Sequence, residues 1–266
     1  MKRIQLLFAG MMVVFAMVSC SKVKEPFIKE TTVSGNRVVL LEDYTGVRCV
    51  NCPAAAETAH ELIHTYPDNL VVIGVYAGDQ AAAPGIDFRT EAGNTWYSTF
   101  GITANPKGTV NRTKNGNGYE YDSDAWGTKI AEEVALSPSV TFNIKPTYNE
   151  SNRKLDIDIN GVFTQEASGD FYLFAGIIED SIQGKQLFPG NVTNPDYWHC
   201  HVFRTPVNGT WGEEFFSGIS EPQQEFSKSY SITIDSTYND NQCYVVSYVY
   251  DNTDKSILQA GQAKIK

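Results

Sequence analysis

Val38-Val39-Leu40-Leu41-Glu42-Asp43-Tyr44-Thr45-Gly46-Val47-Arg48-Cys49-Val50-Asn51-Cys52-Pro53 is the stretch whose reading decides the fold. Its opening apolar run predicts a buried strand over 37–44. Pro53 to Tyr66 predicts a helix, because Ala55, Ala59, Leu62, Ile63 and Tyr66 fall on one face. Leu70 to Ala77 is nearly all apolar, as expected of a strand in a parallel sheet covered on both sides. The two cysteines therefore sit where a strand hands over to a helix inside a βαβ pattern, the context in which a Cys-x-x-Cys spacing carries redox chemistry. Helix N-terminal N–H groups and the macrodipole stabilise a thiolate there. Cys49 is expected to be the exposed, acidic thiol, helped by the charge of Arg48, and Cys52 the resolving thiol.

Working outward, 87–100 reads as a helix, 108–113 as a strand, Asn115-Gly116-Asn117-Gly118 as a turn, and 123–136 as a last helix capped by Asp122 or Ser123. Two positions resemble thioredoxins. Asp43 lies six residues before Cys49, where those proteins place a buried acid that assists proton transfer at the second Cys. Phe100-Gly101-Ile102-Thr103-Ala104-Asn105-Pro106 resembles their cis-proline loop, so Asn105–Pro106 is expected to be cis. Arg48 stands where thioredoxins have Trp, and Val50-Asn51 replaces their Gly-Pro. A redox-active dithiol, a structural disulfide and a metal site all stay open for the pair.

At Ser137-Pro138 the character changes, and strand signals dominate to Lys266: 140–146, 154–163, 171–179, 229–234, 242–250 and 257–265. The expected architecture is an α/β thioredoxin-like domain over 37–137 followed by an all-β, immunoglobulin-like sandwich over 138–266, with residues 181–227 as a long insertion rich in Phe, Trp, Gly and Pro.

The N-terminus reads as an export signal. Met1-Lys2-Arg3 is basic, Ile4 to Val18 is an apolar run too short to span a bilayer, and Met17-Val18-Ser19-Cys20 resembles a lipobox. Residues 1–19 are then a signal peptide, Cys20 the lipidated residue, and 20–36 a polar tether. No later stretch is long and apolar, so the rest is expected to be soluble. Residues 1–19 hold two of the 21 basic residues and none of the 31 acids, which leaves the mature chain at −12. That balance argues against nucleic acid and anionic lipid as partners.

Three other features carry chemistry-bearing residues. His60-Glu61-Leu62-Ile63-His64 matches the His-Glu-x-x-His string of zinc proteases, but its two His lie opposite the apolar stripe, where a solvated face is the expected reading and a zinc pair the weak alternative. In Trp198-His199-Cys200-His201 an extended backbone puts both His on one side and Cys200 on the other. Cys200 and Cys243 are candidates for pairing, and spacing leaves the question open. Tyr197, Trp198, Phe203, Trp211, Phe215 and Phe216 form a satellite core or a binding platform, the core being favoured.

Taken together, these residues resemble the 28-kDa outer-membrane lipoproteins of Gram-negative anaerobes. The resemblance is carried by the Cys20 lipobox, by Glu42 to Pro53, and by His201-Val202-Phe203-Arg204 followed by Gly209-Thr210-Trp211-Gly212. It implies an outer-membrane location through the lipid on Cys20. The functional expectation is a thiol–disulfide oxidoreductase or redox module of the cell envelope acting on a protein substrate, with no cofactor: Cys49 attacks, Cys52 resolves, Asp43 assists and Pro106 shapes the groove. The alternative is a non-catalytic surface binding protein, adhesin- or receptor-like, that uses the sandwich and keeps Cys49–Cys52 as a structural bridge.

Overall fold

The computed structural model describes residues 36–266. The expected signal peptide, Cys20 and nearly all of the expected tether lie outside the described residues.

The first half builds a three-strand platform. β1 (Val39–Thr45) and β2 (Leu70–Tyr76) are buried throughout and run parallel, with Val39 opposite Leu70. Between them lies α1 (Cys52–Thr65). A short hairpin, β3 (Ala82–Ala83) with β4 (Ile86–Asp87), precedes α2 (Glu91–Thr99). That hairpin takes up Asp87, the first residue of the helix expected over 87–100, and 88–90 are loop. The Thr90 hydroxyl starts α2 instead, accepting from the Gly93 N–H at 2.9 Å. β5 (Lys107–Val110) returns antiparallel to β1, and α3 (Trp126–Val134) follows. Neither Asp122 nor Ser123 caps α3: its N-cap is Ala125, and Asp122 binds Lys107 Nζ at 2.8 Å.

Strand alternation sorts the side chains onto two faces. Val39, Leu41, Leu70, Val72 and Val110 pack under α1 and α3 with Ala55, Ala59, Trp126 and Ile130. Leu40, Tyr44, Val71, Ile73 and Val75 face the other way, toward Trp96 and Phe100 of the α2 region.

The second half is almost all strand: β6 (Val140–Asn149), β7 (Lys154–Phe163), β8 (Ala167–Glu179), β9 (Ile182–Phe188), β10 (Val192–His199), β11 (Val202–Pro206), β12 (Glu213–Ser220), β13 (Glu225–Thr233), β14 (Cys243–Asp251) and β15 (Ile257–Lys264). The stretch 181–227, expected as an insertion, is therefore mostly paired backbone. Its frequent Pro and Gly interrupt alternation locally and disguise strands that the tertiary fold enforces. β13, β7 and β6 make an antiparallel sheet whose Leu155, Ile157, Ile159 and Phe163 pack against Phe171, Leu173, Ala175 and Val245 of β8 and β14.

One sheet crosses the position where the sequence changes character. Its order is β15-β14-β8-β11-β2-β1-β5, with β12 also on β8. The seam is Val202 opposite Gly74. The sheet also curls until its far strand meets β1: Ala260 N–H donates to the Val38 carbonyl at 3.2 Å, and Ile257 N–H to the Asn111 carbonyl at 2.9 Å. Enclosed by the curl are Phe174, Ile178, Phe203, Tyr244, Val246 and Tyr248 together with Leu40, Val71, Ile73 and Trp96. At its centre Arg112, with no exposed side-chain area, pairs with Glu42 at 2.6 and 3.0 Å and donates to Tyr248 Oη at 2.7 Å.

Candidate functional site

The cysteine loop leaves β1 at Thr45 and folds tightly against residues 78–82. A Cβ on Gly46 would sit 2.5 Å from the Gln80 carbonyl, so only glycine lets the two segments approach. Arg48 N–H donates to that same carbonyl at 2.9 Å. The Arg48 guanidinium bonds the Ala82 carbonyl at 2.8 Å and also the Asp79 carbonyl. Its charge is therefore spent on carbonyls of the neighbouring loop, where the sequence placed it beside the thiol. Cys49 and Cys52 form a disulfide with their Cα atoms 5.4 Å apart, and Cys52 is the first residue of α1.

The expected exposure of Cys49 is not found. Cys49 is 1 % exposed and Cys52 2 %. The cover is the β9–β10 hairpin. Leu187 N–H donates to the Val47 carbonyl at 2.9 Å, and the Gln186 side-chain amide donates to the Gly46 and Cys49 carbonyls at 3.2 and 2.9 Å. Tyr76 Oη and His199 Nδ1 lie 2.8 Å apart and tie the far end of the hairpin to β2.

Behind the disulfide lies a cavity of about 30 Å³, lined among others by Asp43, Cys52, His60, Tyr76, Cys200 and His201. It has room for about one water. Asp43 projects from β1 on the α1 side of the sheet and is 5 % exposed, and its Oδ1 has no hydrogen-bond partner. Burial pushes its carboxyl up to about 7. Across the cysteine loop, the Asn105 amide donates to the carbonyls of Thr45 and Ala77 at 3.0 and 2.9 Å. The following bond to Pro106 is cis, and Pro106 stands half-buried at this end of β1 and β2.

The other sequence candidates are rearranged. His60 is not on a solvated face: its ring lies edge-on to His201, centroids 5.5 Å apart. Burial, then the neighbouring His201, lowers its pKa to about 4. His64 stays exposed, and among the described residues no three His, Cys, Asp or Glu side chains gather into a metal-binding group. The alternation expected for 198–201 breaks at the end of β10, because His201 has φ +56°. Cys200 and His201 thus share the cavity, while His199 packs among Tyr76, Phe88 and Tyr197. Cys200 and Cys243 are not joined; Cys243 is buried in the sandwich core, where burial pushes its thiol up to about 12. Phe203 and Trp211 belong to the enclosed core and Phe215 and Phe216 to the sandwich, whereas Trp198 is 49 % exposed. Gln186 and Tyr76 escaped the sequence reading. The one local signal was Gly74 in an otherwise bulky strand, where a Cβ would press on the Cys200 carbonyl at 3.2 Å.

Set against known proteins, residues 93–266 match a family model described as outer membrane protein Omp28. A crystal structure of an Agrobacterium tumefaciens protein is similar with a TM-score of 0.52 at 12 % identity, over 86 % of this chain and 96 % of that one. A domain of the outer membrane lipoprotein Omp28 from Porphyromonas gingivalis matches at 17 % identity and a TM-score of 0.35, over 49 % of this chain and 91 % of that one. No curated protein matches the sequence. The matched segment takes in Pro106, the hairpin and Cys200, and it stops short of Asp43, Cys49 and Cys52.

Proposed function

The chain belongs to the Omp28 family of outer-membrane proteins, and we propose that it is a thiol–disulfide exchange module of the outer membrane, lipid-anchored at Cys20 and held closed by the β9–β10 hairpin. Residues 37–137 are read as its thioredoxin-like unit. The support is the order β1-α1-β2-α2-β5-α3, with α1 and α3 on one face and α2 on the other. Residues 138–266 are read as a sandwich, immunoglobulin-like in its two facing antiparallel sheets but continuous with the first unit through β11.

One observation carries the exchange reading: a buried acid with a partnerless oxygen shares a cavity with Cys52. An unpaired buried carboxyl destabilises a fold, so its presence beside a dithiol points to proton handling. In the reduced form Cys49, at the helix N-terminus, attacks a target disulfide. Cys52 then displaces the target from Cys49, giving its proton to Asp43 through the cavity, and Pro106 shapes the groove that receives the target chain.

The hairpin cover favours a second reading, in which the disulfide is structural and the chain only binds. Insulin reduction coupled to a dithiol reductant separates the two. Turnover that is raised in Gln186→Ala, where the hairpin is loosened, and lost in Cys49→Ala supports exchange. No turnover in either the wild type or Gln186→Ala establishes the binding reading instead.

A further inference from the structure

We propose that Cys200 is a third exchange thiol, which attacks Cys52 within the closed molecule to form a Cys52–Cys200 disulfide and release Cys49. The inference rests on the Cys49–Cys52 bond being exchangeable, as the functional reading above requires.

The backbone brings the partners together. Gly74 is opposite Asp43 on β1, and its N–H donates to the His201 carbonyl at 2.7 Å. With no side chain on Gly74, the 200–201 backbone lies directly over the strand, and Cys200 reaches the cavity that Cys52 lines from the helix side. That cavity is lined by Cys52 and Cys200 and not by Cys49, which makes Cys52 the half of the disulfide that shares a space with Cys200. Two buried polar atoms among the lining residues, Asp43 Oδ1 and His201 Nε2, have no hydrogen-bond partner, and of the two the Asp43 carboxyl, raised to about 7 by burial, is the one that can hold a proton. A base also stands at the thiol. Burial raises the Asp180 carboxyl to about 6, and the His201 N–H and the Cys200 thiol pull it back down. Asp180 accepts from the His201 N–H at 3.2 Å, which holds it at the turn that carries Cys200.

The step balances without an outside oxidant or reductant. Cys200 gives its proton to Asp180, and the thiolate attacks Cys52 Sγ in line with the Cys49–Cys52 bond. The Cys52–Cys200 bond forms as the Cys49 sulfur leaves as a thiolate, and the proton passes on to Cys49. One disulfide and one thiol remain on each side of the exchange. The product pins the base of the hairpin to α1 and leaves a reactive thiol at the helix N-terminus.

The test uses the full chain in detergent. Cys49→Ser leaves Cys52 and Cys200 as the exchanging pair. Glutathione disulfide is added as oxidant, and peptides are mapped without reduction. The expected major product is a Cys52–Cys200 disulfide, with loss of the Cys52–glutathione adduct, and it is absent from Cys49→Ser/Cys200→Ser. A persistent Cys52–glutathione adduct beside an unmodified Cys200 overturns the proposal. Should Cys49→Ser fail to fold, the oxidised wild type is incubated with N-ethylmaleimide. Slow accumulation of alkylated Cys49 together with a Cys52–Cys200 peptide supports the exchange, and alkylation confined to Cys200 refutes it. Insulin turnover without a Cys52–Cys200 bond sinks this proposal alone. The bond without insulin turnover sinks the functional reading alone.

Discussion

Asp43→Asn isolates the cost of the buried acid. A carboxyl moved from 3.8 to about 7 binds its proton more tightly in the folded chain than in the unfolded one. Between those two values the folded state carries more protons, so the stability contributed by Asp43 falls as pH rises through that window. At 1.36 kcal/mol per tenfold, the ionised group costs the fold about 4 kcal/mol above pH 7 and almost nothing at pH 4. Asparagine keeps the shape and removes the titration. Its stability relative to wild type should therefore rise by roughly 4 kcal/mol between pH 4 and pH 8, about 10 °C in midpoint for a chain of this size. The assay is thermal or urea unfolding of both oxidised proteins across that range, followed by the difference between them. His60, His199 and His201, lowered to about 4 by burial, titrate in both proteins and cancel. Parallel stability curves would refute the reasoning, because Asp43 would then be solvated or paired in solution.

Three further perturbations address the cover and the core. Gln186→Ala removes the amide that bonds the Gly46 and Cys49 carbonyls; at about 1 kcal/mol per bond, reduction of Cys49–Cys52 by dithiothreitol should quicken at least about tenfold, and an unchanged rate would mean the hairpin does not gate the sulfurs. Arg112→Met leaves the Glu42 carboxylate buried without its guanidinium partner, with Thr109 Oγ1 still donating to it, at a cost of about 3–5 kcal/mol in urea unfolding. Adding Glu42→Leu should recover most of that, and a double variant no more stable than the single would show the pair is not the cause. Gly108→Ala places a methyl 2.5 Å from Trp126 Nε1, and the forced shift of α3 should lower stability by about 1–3 kcal/mol with a changed near-ultraviolet Trp spectrum. An unperturbed spectrum would mean α3 can slide without loss.

What the sequence made legible is local. The buried β1, the apolar stripe of α1 and the apolar β2 are each encoded within a few residues, so the strand–cysteines–helix unit and the cis bond before Pro106 could be read from one end of the chain. The pairing of Val202 with Gly74, the return of Ala260 to Val38, and the seating of Gln186 on the cysteine loop join residues far apart in sequence. No periodicity names the partner of a strand, and a hairpin broken by Pro189 and Gly190 hides its two strands until its bonds are seen. The same division separates the two halves of the chemistry. The place of the cysteines ahead of a helix is a local property. What covers them is not: Gln186, His199 and Cys200 arrive from residues far along the chain. An isolated 37–137 segment would lose β11, β15 and the hairpin, and would bare Val71, Ile73 and Val75 along with the disulfide. A reactive thiol in that segment would report on the helix terminus alone, so only the intact chain can test whether the pair is closed, exchangeable or coupled to Cys200.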